Sequence, residues 1–502
     1  MPPSPSSQDS EFLQRQRPLE MFRARTKRLQ LHPAERMLLA LLIFHLVAIA
    51  WCIGGLRLWA QISSLVLSVI TILVALLPRE YDESQSGNTG FRLLMWPRLI
   101  RFPVFWIGIP FLIYIAIQGL NPAWVFTINA RGVWWMTGID HIGWLPAGVT
   151  VPLDRGGPGM RLIMYTSVWL TVCALWVGIT RRRSLNILFT ALAINGLLIC
   201  SLALAQRLLG NGKMFWFYES PNASFFGCFT YKNHAGAYLN LTLAVACGIS
   251  GWYYLRGLRR LEKSNPAGIF AFFATFVAIN VLVSYSRGAT MAMLLFLAGA
   301  IIAFVYHQIT SPAELRRPIV IVTLVILFGV FLKNGMDALN TGEAWTHFAH
   351  AFSGNDLSAT ARITANKASL DMLGDNWVSG SGAGSFKFLY PEYQQHYPEI
   401  WTLQGRQLFW DHAHNDILEF PIELGLIGIL FPLASIFYLL ARAARFYFWH
   451  NPLVSCLLFV LALSVSHSWF EFIFQCPAIL LTAWVLLTAA AQFAEFEDSP
   501  RG

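Results

Sequence analysis

The sequence carries too little charge for a water-soluble protein. Asp, Glu, Lys and Arg make up 13% of its 502 residues, whereas a soluble domain contains about 25%. By contrast, 56% of the residues are hydrophobic, and they include 38 Phe, 19 Trp and 15 Tyr. These proportions exclude a disordered chain, a collagen, a coiled coil and a cytosolic enzyme. They indicate a membrane protein with several spans.

Metal, disulfide and leader patterns are also missing. No two of the seven cysteines have CxxC spacing, and most lie in apolar runs. We therefore expect small buried side chains rather than a metal site or a disulfide framework. Residues 1–36 are polar and basic, where a cleavable signal peptide would have a short apolar stretch. In a membrane protein the positions of the basic residues matter more than the net charge of +9, so we expect no nucleic-acid partner.

Twelve apolar runs are long enough to cross a bilayer, which requires about 17 to 25 residues per helix. Pro and Gly interrupt the apolar pattern at the connections. The sequence therefore predicts an all-α polytopic membrane protein with about 12 transmembrane helices. They lie near residues 37–54, 56–77, 102–120, 162–179, 184–208, 235–255, 267–285, 288–306, 318–333, 415–440, 452–470 and 472–493.

The distribution of basic residues predicts the orientation of these spans. With twelve spans both termini lie on the same side, and that side carries 23 of the 36 Lys and Arg residues. The other side has the longest loops but fewer basic residues. Because short basic connections remain in the cytoplasm, we expect both termini to be cytoplasmic.

The predicted fold divides the chain into five segments. Two of them are cytoplasmic tails, two are groups of spans, and one is a large external domain between spans nine and ten. They are the basic tail 1–36, spans one to nine in 37–333, the external loop domain 334–414, spans ten to twelve in 415–494, and the tail 495–502.

The external loop 334–414 is long enough to carry a function. It contains 8 acidic and 4 basic residues, and a polar connection of this length is uncommon unless it forms a small domain or a lid. Apolar residues at helical spacing after Ser358 predict a helix over 358–373, with that serine as its N-cap.

Four polar clusters lie where external loops meet the predicted spans. Arg287 has almost no loop to carry it into water, and a charge at such depth is costly and usually functional. Lys232 either extends to the interface or binds an anion, and His234 either caps a helix or contacts a ligand. The clusters are Tyr231-Lys232-Asn233-His234, Ser284-Tyr285-Ser286-Arg287, Arg362 with Lys367, and Asp411-His412-Ala413-His414-Asn415-Asp416.

The two histidines before span ten have three interpretations. They belong to a solvated helix start capped by Asp411, to a metal site whose remaining ligands are missing, or to a general base that accepts a proton near neutral pH. If the helix begins near Asp411, His412 and His414 point about 200° apart. Only one of them then faces the pocket, and we favour His414.

The glycine-rich stretch 379–386 resembles a phosphate-binding loop only superficially. It lacks the Lys-Ser/Thr ending of a P-loop and follows no βαβ pattern. We expect a flexible turn that lets the backbone approach a ligand.

Together, the external clusters contain two or three cations and one base beside the membrane. Two guanidinium groups suit a pyrophosphate, because each holds phosphate oxygens in a fork. The expected substrate is an anionic headgroup on a lipid, reached from the external leaflet. No ATP is available there, so the reaction should use a pre-activated donor.

In their order along the chain, these motifs resemble the O-antigen ligase and O-antigen polymerase superfamily. The similarity covers roughly residues 180–495. The matching segments are NHAG at 233–236, SYSRGA at 284–289, the loop helix that carries an arginine, GSGAGSF at 380–386 followed by PEY at 391–393, and HAHNDILEFPIELGLIGIL at 412–430.

The resemblance implies a metal-independent, inverting glycosyltransferase without a cofactor. Such enzymes lie in the bacterial inner membrane and move a glycan from undecaprenyl pyrophosphate to an acceptor hydroxyl at the periplasmic face. Carried over by position, Arg287 and Arg362 bind the pyrophosphate, and His414 activates the acceptor. The expected substrate-binding residues are Lys232, His234, Tyr285, His412 and Asn415. The doubled histidine leaves the choice between His412 and His414 partly open.

The sequence does not separate the activities within this superfamily. We favour ligase-like transfer, with polymerisation of O-antigen or exopolysaccharide and protein O-oligosaccharyl transfer as alternatives. The acceptor is accordingly a lipid A core, a growing glycan or a protein. A lipid-glycan transporter is the alternative that is not an enzyme. It should show paired half-sites and interrupted helices near the bilayer midplane, whereas the charges here lie at span ends.

Overall fold

The chain folds into a bundle of long helices with a small mixed domain at one end. A computed structural model describes residues 31–81, 91–260, 264–310, 318–338, 357–401 and 409–498. Its long helices are α1 (Pro33–Trp51), α2 (Leu58–Leu76), α3 (Pro103–Leu120), α4 (Gly157–Gly178), α5 (Arg182–Leu209), α6 (Lys232–Arg260), α7 (Ala267–Val283), α8 (Arg287–Thr310), α9 (Pro318–Ala338), α10 (Leu357–Asn376), α11 (Phe386–Gln394), α12 (Asp416–Arg445), α13 (Pro452–His467) and α14 (Pro477–Asp498).

The predicted multi-span membrane protein is confirmed, because every predicted span overlaps a helix. In the described part of the chain, 8 helices are long and apolar enough to cross a membrane, namely α1 to α5, α8, α12 and α14. The apolar stretches in α7, α9 and α13 are shorter, and α6 has basic residues in its last turn. The total of twelve spans therefore stays a prediction.

Proline and asparagine determine where several helices begin. Pro33, Pro103 and Pro452 stand in the first turn of α1, α3 and α13, where a missing N–H costs nothing and the fixed φ fits the helix. Asn451 caps α13 by accepting hydrogen bonds from the backbone of Leu453 (3.0 Å) and the following residue.

Helix α14 lies at the centre of the bundle. Of its membrane-crossing stretch 94% is buried, and it packs against α4, α12, α13 and α1. A helix that is apolar on all sides fits this enclosed position.

One basic residue counted with the loops is in fact buried. The guanidinium of Arg79 is 1% exposed and pairs with Glu35 at 2.5 Å. Glu35 also accepts hydrogen bonds from Thr180 and Ser184, so α1, α2 and the α4–α5 connection meet at one ion pair. These hydrogen bonds help to offset the cost of burying the pair, although Arg79 Nε has no hydrogen-bond partner among the described residues.

The all-α prediction missed two small sheets. Strands β1 (Arg79–Tyr81) and β2 (Phe91–Leu93) form an antiparallel pair. At the opposite end of the bundle, β3 (Pro122–Ile128) lies between antiparallel β4 (Trp134–Gly138) and parallel β5 (Gly148–Thr150). Aromatic and β-branched residues are frequent in β3 and β4, and these residues fit a pleated, half-buried surface.

The three-stranded sheet forms a second hydrophobic core with α10 and α11. Phe126 and Trp134 of the sheet contact Phe388 of α11 at ring distances of 6.0 Å. Ala365, Ala368 and Met372 of α10, together with Phe386, are buried in the same cluster. The predicted helix over 358–373 is present as α10, but Ser358 lies inside it rather than at its cap.

The glycine-rich stretch packs against the backbone of α12. Helix α12 is interrupted at Gly425, where φ is 64°. The N–H groups of Ser381 and Gly382 donate to carbonyls of α12, and Leu426 N–H donates back to Trp377. A Cβ on Gly380 or Gly425 would overlap the facing backbone. The glycines are thus needed for close approach of two chain segments.

Candidate active site

The connection 468–476 between α13 and α14 contains a buried carboxylate that joins several predicted site residues. Glu471 is 5% exposed. Its Oε1 accepts hydrogen bonds from Asn233 at 2.6 Å and from Arg362 at 3.3 Å. The Tyr231 hydroxyl donates to Oε2 at 3.2 Å. His414 Nδ1 lies 3.5 Å from the same Oε2.

The next residue, Phe472, provides an aromatic platform for the histidines. The His412 ring stacks on it at 4.6 Å with an interplanar angle of 20°. The rings of His414 and His234 meet it edge-on at 4.8 and 5.0 Å. Tyr231 stacks on it at 5.4 Å. Clusters from the start of α6 and from the segment before α12 therefore converge on this ring.

A cavity of about 490 Å³ opens beside Phe472. His234, His412 and His414 line it, together with Tyr231. Trp410 contributes a further wall and meets the His414 ring at 5.7 Å. The predicted cations Arg287 and Arg362 are not among its lining residues.

The assumption that separated the two histidines is wrong. Helix α12 begins at Asp416, with Asn415 as the N-cap that accepts from Leu418 N–H at 3.3 Å. His412 and His414 therefore precede the helix and are not constrained to point 200° apart. Both line the cavity, because the irregular segment before α12 places both rings against Phe472. Asn415 has a capping role and is 3% exposed.

Each histidine faces a different carboxylate. His412 Nδ1 lies 2.7 Å from Glu419 Oε1, and Glu419 Oε2 accepts the N–H of Ala413 at 2.8 Å. His414 lies near Glu471, and its own φ of 52° is unusual for a residue with a Cβ. Such backbone strain is common at active sites, where the surrounding structure over-determines it.

Arg287 and Tyr285 lie beside this network rather than in the cavity. Ser286 Oγ donates to Asn233 Oδ1 at 2.7 Å, so the break before α8 is tied to Glu471 through Asn233. Arg287 is the first residue of α8 and is exposed. Tyr285 has a backbone φ of 53°. Its ring is exposed, and the Arg207 guanidinium carbon lies 4.7 Å from the ring centroid.

The remaining predicted residues differ in burial. His234 is 3% exposed and its Nε2 contacts the carbonyl oxygen of Phe472 at 3.2 Å. Lys232 is the first residue of α6 and is half-buried. Arg362 is 43% exposed on α10 while it contacts Glu471. An anion therefore has access to Arg362 from solvent.

The charges outside the helices set the protonation of the site. Although burial raises the pKa of Glu471, the nearby His414 side chain and the positive charge of Arg362 outweigh that effect and hold the pKa below its usual value. Glu471 is accordingly an ionised carboxylate. Burial lowers the pKa of His412, and the positive charge of Arg161 adds to this. His412 is therefore neutral, and its Nδ1 forms a hydrogen bond with Glu419.

Two charged residues of this region, Glu471 and Arg161, were not predicted as site residues from the sequence. Glu471 lies between the last two spans, and its signal was a charge in a very short connection, which is usually functional. Arg161, in the first turns of α4, lies close enough to act electrostatically on Glu419 and Glu423 of α12. Its signal was a charge at the start of an apolar run.

No metal cluster is found in the described part of the chain. Among the described residues, no three or more His, Cys, Asp or Glu side chains are arranged so that they could hold a metal ion.

Comparison with known families identifies the middle of the chain. The family model described as O-antigen ligase matches residues 270–433. The matched region contains Arg287, Arg362, His412 and His414, but it ends before Glu471. A comparison with curated proteins finds no match to this chain.

Proposed function

Because the family model described as O-antigen ligase matches residues 270–433, we propose that the chain moves a glycan from undecaprenyl pyrophosphate to an acceptor hydroxyl. The proposed enzyme is an inverting, metal-independent glycosyltransferase of the bacterial inner membrane. Both termini lie in the cytoplasm, and the active site faces the periplasm. The observation that carries the proposal is the pairing of His414 and Arg362 with one carboxylate, Glu471, beside the cavity.

In the proposed reaction His414 acts as the base. With Nδ1 directed at Glu471, Nε2 takes the proton of the acceptor hydroxyl. The acceptor oxygen then forms a bond to the anomeric carbon from the face opposite the pyrophosphate. The bond from this carbon to the phosphate oxygen breaks, and its electron pair leaves on the diphosphate.

Arg362 and Arg287 stabilise the leaving group in this proposal. A guanidinium holds phosphate oxygens in a bidentate arrangement and stays charged at any relevant pH. Both arginines are accessible from solvent and are tied to the same hydrogen-bond network, Arg362 directly and Arg287 through the adjacent Ser286. Lys232, His234 and Tyr285 complete the proposed substrate site.

His412 is the second candidate for the base. Its short contact of 2.7 Å with Glu419 gives the arrangement of a histidine oriented by a carboxylate. We favour His414, because it shares its carboxylate with an arginine that can bind the donor. A functional His412–Glu419 pair makes the opposite prediction for the two alanine variants.

Purified protein, a lipid-linked glycan donor and three acceptors test the proposal. Lipid A core, a glycan repeat unit and an acceptor peptide distinguish ligase, polymerase and protein oligosaccharyltransferase. We expect covalent product with lipid A core and release of undecaprenyl pyrophosphate. Movement of intact donor across proteoliposomes without product formation would instead indicate a transporter.

A further inference from the structure

One buried carboxylate serves both the anion-binding arginine and the candidate base. Glu471 Oε1 lies 3.3 Å from Arg362, and Oε2 lies 3.5 Å from His414 Nδ1. The Glu471 side chain is 7% exposed. Its charge is therefore poorly screened by water, and a change at one partner is felt by the other.

The contact to His414 is incomplete in this structure. An N–H···O hydrogen bond is about 2.9 Å long, and the 3.5 Å between His414 Nδ1 and Glu471 Oε2 exceeds this. Nδ1 is buried and has no hydrogen-bond partner in the described part of the chain. A small movement of the Glu471 carboxylate would satisfy this atom.

The contact to Arg362 is the exchangeable one. The Arg362 side chain is 43% exposed, so an anion from solvent competes with Glu471 for the guanidinium. Asn233 holds Oε1 at 2.6 Å and keeps the carboxylate in place during such an exchange.

We propose that Glu471 couples donor binding to activation of the base. In the protein without donor, the Glu471 carboxylate interacts with both Arg362 and His414. A lipid diphosphate that binds Arg362 releases the carboxylate, which then accepts a full hydrogen bond from His414 Nδ1. Glu471 is thus a positioning residue whose effect on the base is greatest when the donor is bound. The inference rests on the function proposed above.

Three other titratable groups act on Glu471. The Tyr231 hydroxyl donates to it at 3.2 Å, and burial together with this carboxylate raises the pKa of Tyr231, so the phenol stays protonated. His467 of α13 and His234 of α6 act on it through charge. None of these groups is accessible enough to be replaced by a donor phosphate in the way that Arg362 is.

The Glu471→Gln variant tests the coupling through three readouts. Transfer at saturating donor should fall about 10²-fold, the usual scale for impaired general-base catalysis. Binding of farnesyl pyrophosphate, used as a soluble isoprenyl diphosphate, should equal or exceed that of the wild type, because Arg362 loses its internal partner. The acid limb of the transfer profile should move to lower pH by about one unit, since His414 becomes harder to protonate.

Opposite behaviour in a second variant completes the test. In Arg362→Gln, the Glu471 carboxylate interacts with His414 without competition from the arginine. The acid limb of the residual transfer profile should therefore move to higher pH, and binding of farnesyl pyrophosphate should weaken. Glu471→Asp should recover part of the rate because it keeps the charge. Glu392→Gln, an exposed carboxylate of α11, is the matched control and should match the wild type.

Equal loss of binding and rate in Glu471→Gln, with an unchanged pH profile in both variants, would show that Glu471 only holds the fold and would overturn the coupling. If Glu471→Gln does not accumulate as folded protein, the direction of the shift in Arg362→Gln decides alone. Failure of the wild type to transfer glycan is a different result, because it removes the proposed function rather than the coupling.

Discussion

Among single residues, Glu471 and Phe472 explain how distant parts of the chain form one site. Tyr231 and Asn233 lie far in sequence from Arg362 and His414, yet each of the four contacts Glu471, Phe472 or both. Electrostatic and stacking interactions of this kind position side chains without a continuous motif. The site is therefore defined by a short connection rather than by any one of the polar clusters.

The two histidines give the first residue-scale prediction. His414→Ala should reduce transfer about 10²-fold or more, because a general base is lost, while farnesyl pyrophosphate binding persists. His412→Ala should cost far less. The measurement is the transfer rate of both purified variants under identical conditions.

Equal losses, or a larger loss in His412→Ala, would assign the base to the His412–Glu419 pair. Both variants should elute as folded protein, since each histidine lies in a segment outside the helices.

Arg287 gives the second prediction. Arg287→Lys keeps the charge but loses the planar fork. We expect kcat/KM to fall by about 10- to 100-fold, which corresponds to a hydrogen bond to a charged group worth about 1.5–3 kcal/mol. Steady-state kinetics at equal protein amount measure this effect.

Arg131→Lys, at an exposed position in the turn between β3 and β4, is the matched control. A normal rate in Arg287→Lys would remove Arg287 from the donor site.

Sequence reasoning identified His414 and Arg362 as site residues but missed Glu471, the carboxylate that both contact. Arg287 stood out because a charge at a span end is costly. His414 stood out because a histidine can accept a proton near neutral pH, and Arg362 as the arginine of the loop helix. Glu471 did not, because the predicted spans 452–470 and 472–493 left it as a single residue between them. The structure ends α13 at His467 and begins α14 at Pro477, which leaves room for an ordered connection.

At the scale of elements, the interrupted helix α12 and the glycine-rich stretch form one unit. The bend at Gly425 frees backbone groups, and residues 377–382 pair with them. Tyr114 and Gln118 of α3 donate hydrogen bonds to carbonyls of both segments. This pairing fixes the first turns of α12, which begins two residues after His414.

Replacement of Gly425 tests this arrangement. Gly425→Ala places a Cβ at φ 64° and against the backbone of Gly380. We expect a loss of stability of about 1–3 kcal/mol and reduced transfer, both measured on detergent-purified protein by thermal unfolding and rate.

Gly374→Ala is the matched control, because its Cβ would have nothing within 4 Å. It should leave stability unchanged or raise it slightly. If both variants behave alike, the pairing of α12 with 377–382 does not depend on glycine.

The positions of long apolar helices were predicted correctly, whereas the short strands were not predicted. Helix positions follow from runs of apolar residues. The predicted span 415–440 agrees with the observed start of α12 at Asp416, whereas the start near Asp411 that was assumed to separate the two histidines lies five residues early. Asp and Asn are both good caps, and only tertiary contacts select between them. The sheet formed by β3, β4 and β5 was missed because its strands are short and pack against α10 and α11.

At the scale of the whole molecule, the fold joins a bundle of apolar helices to a small domain at one end. The O-antigen ligase match ends at residue 433, and the network continues past it into the connection before α14. The superfamily could be predicted from the order of motifs. The acceptor could not, because no cluster in the sequence has a geometry that selects lipid, glycan or protein.

The proposed mechanism predicts independence from divalent metal ions. Arginines take the place of Mg²⁺ on the diphosphate, so transfer should survive excess EDTA with less than a twofold change in rate. The assay compares EDTA-treated protein with untreated protein and with protein given Mg²⁺ or Mn²⁺. Loss of activity that Mg²⁺ or Mn²⁺ restores would contradict a leaving group stabilised by arginine alone.

The anomeric configuration of the transferred sugar tests the central claim most directly. Purified wild-type protein is given a lipid-linked donor of known configuration and lipid A core, and the new glycosidic bond is assigned by NMR, with His414→Ala as the inactive control. The proposed single displacement predicts covalent product with inverted configuration in the wild type only. Product with retained configuration, or no product from the wild type, would contradict it.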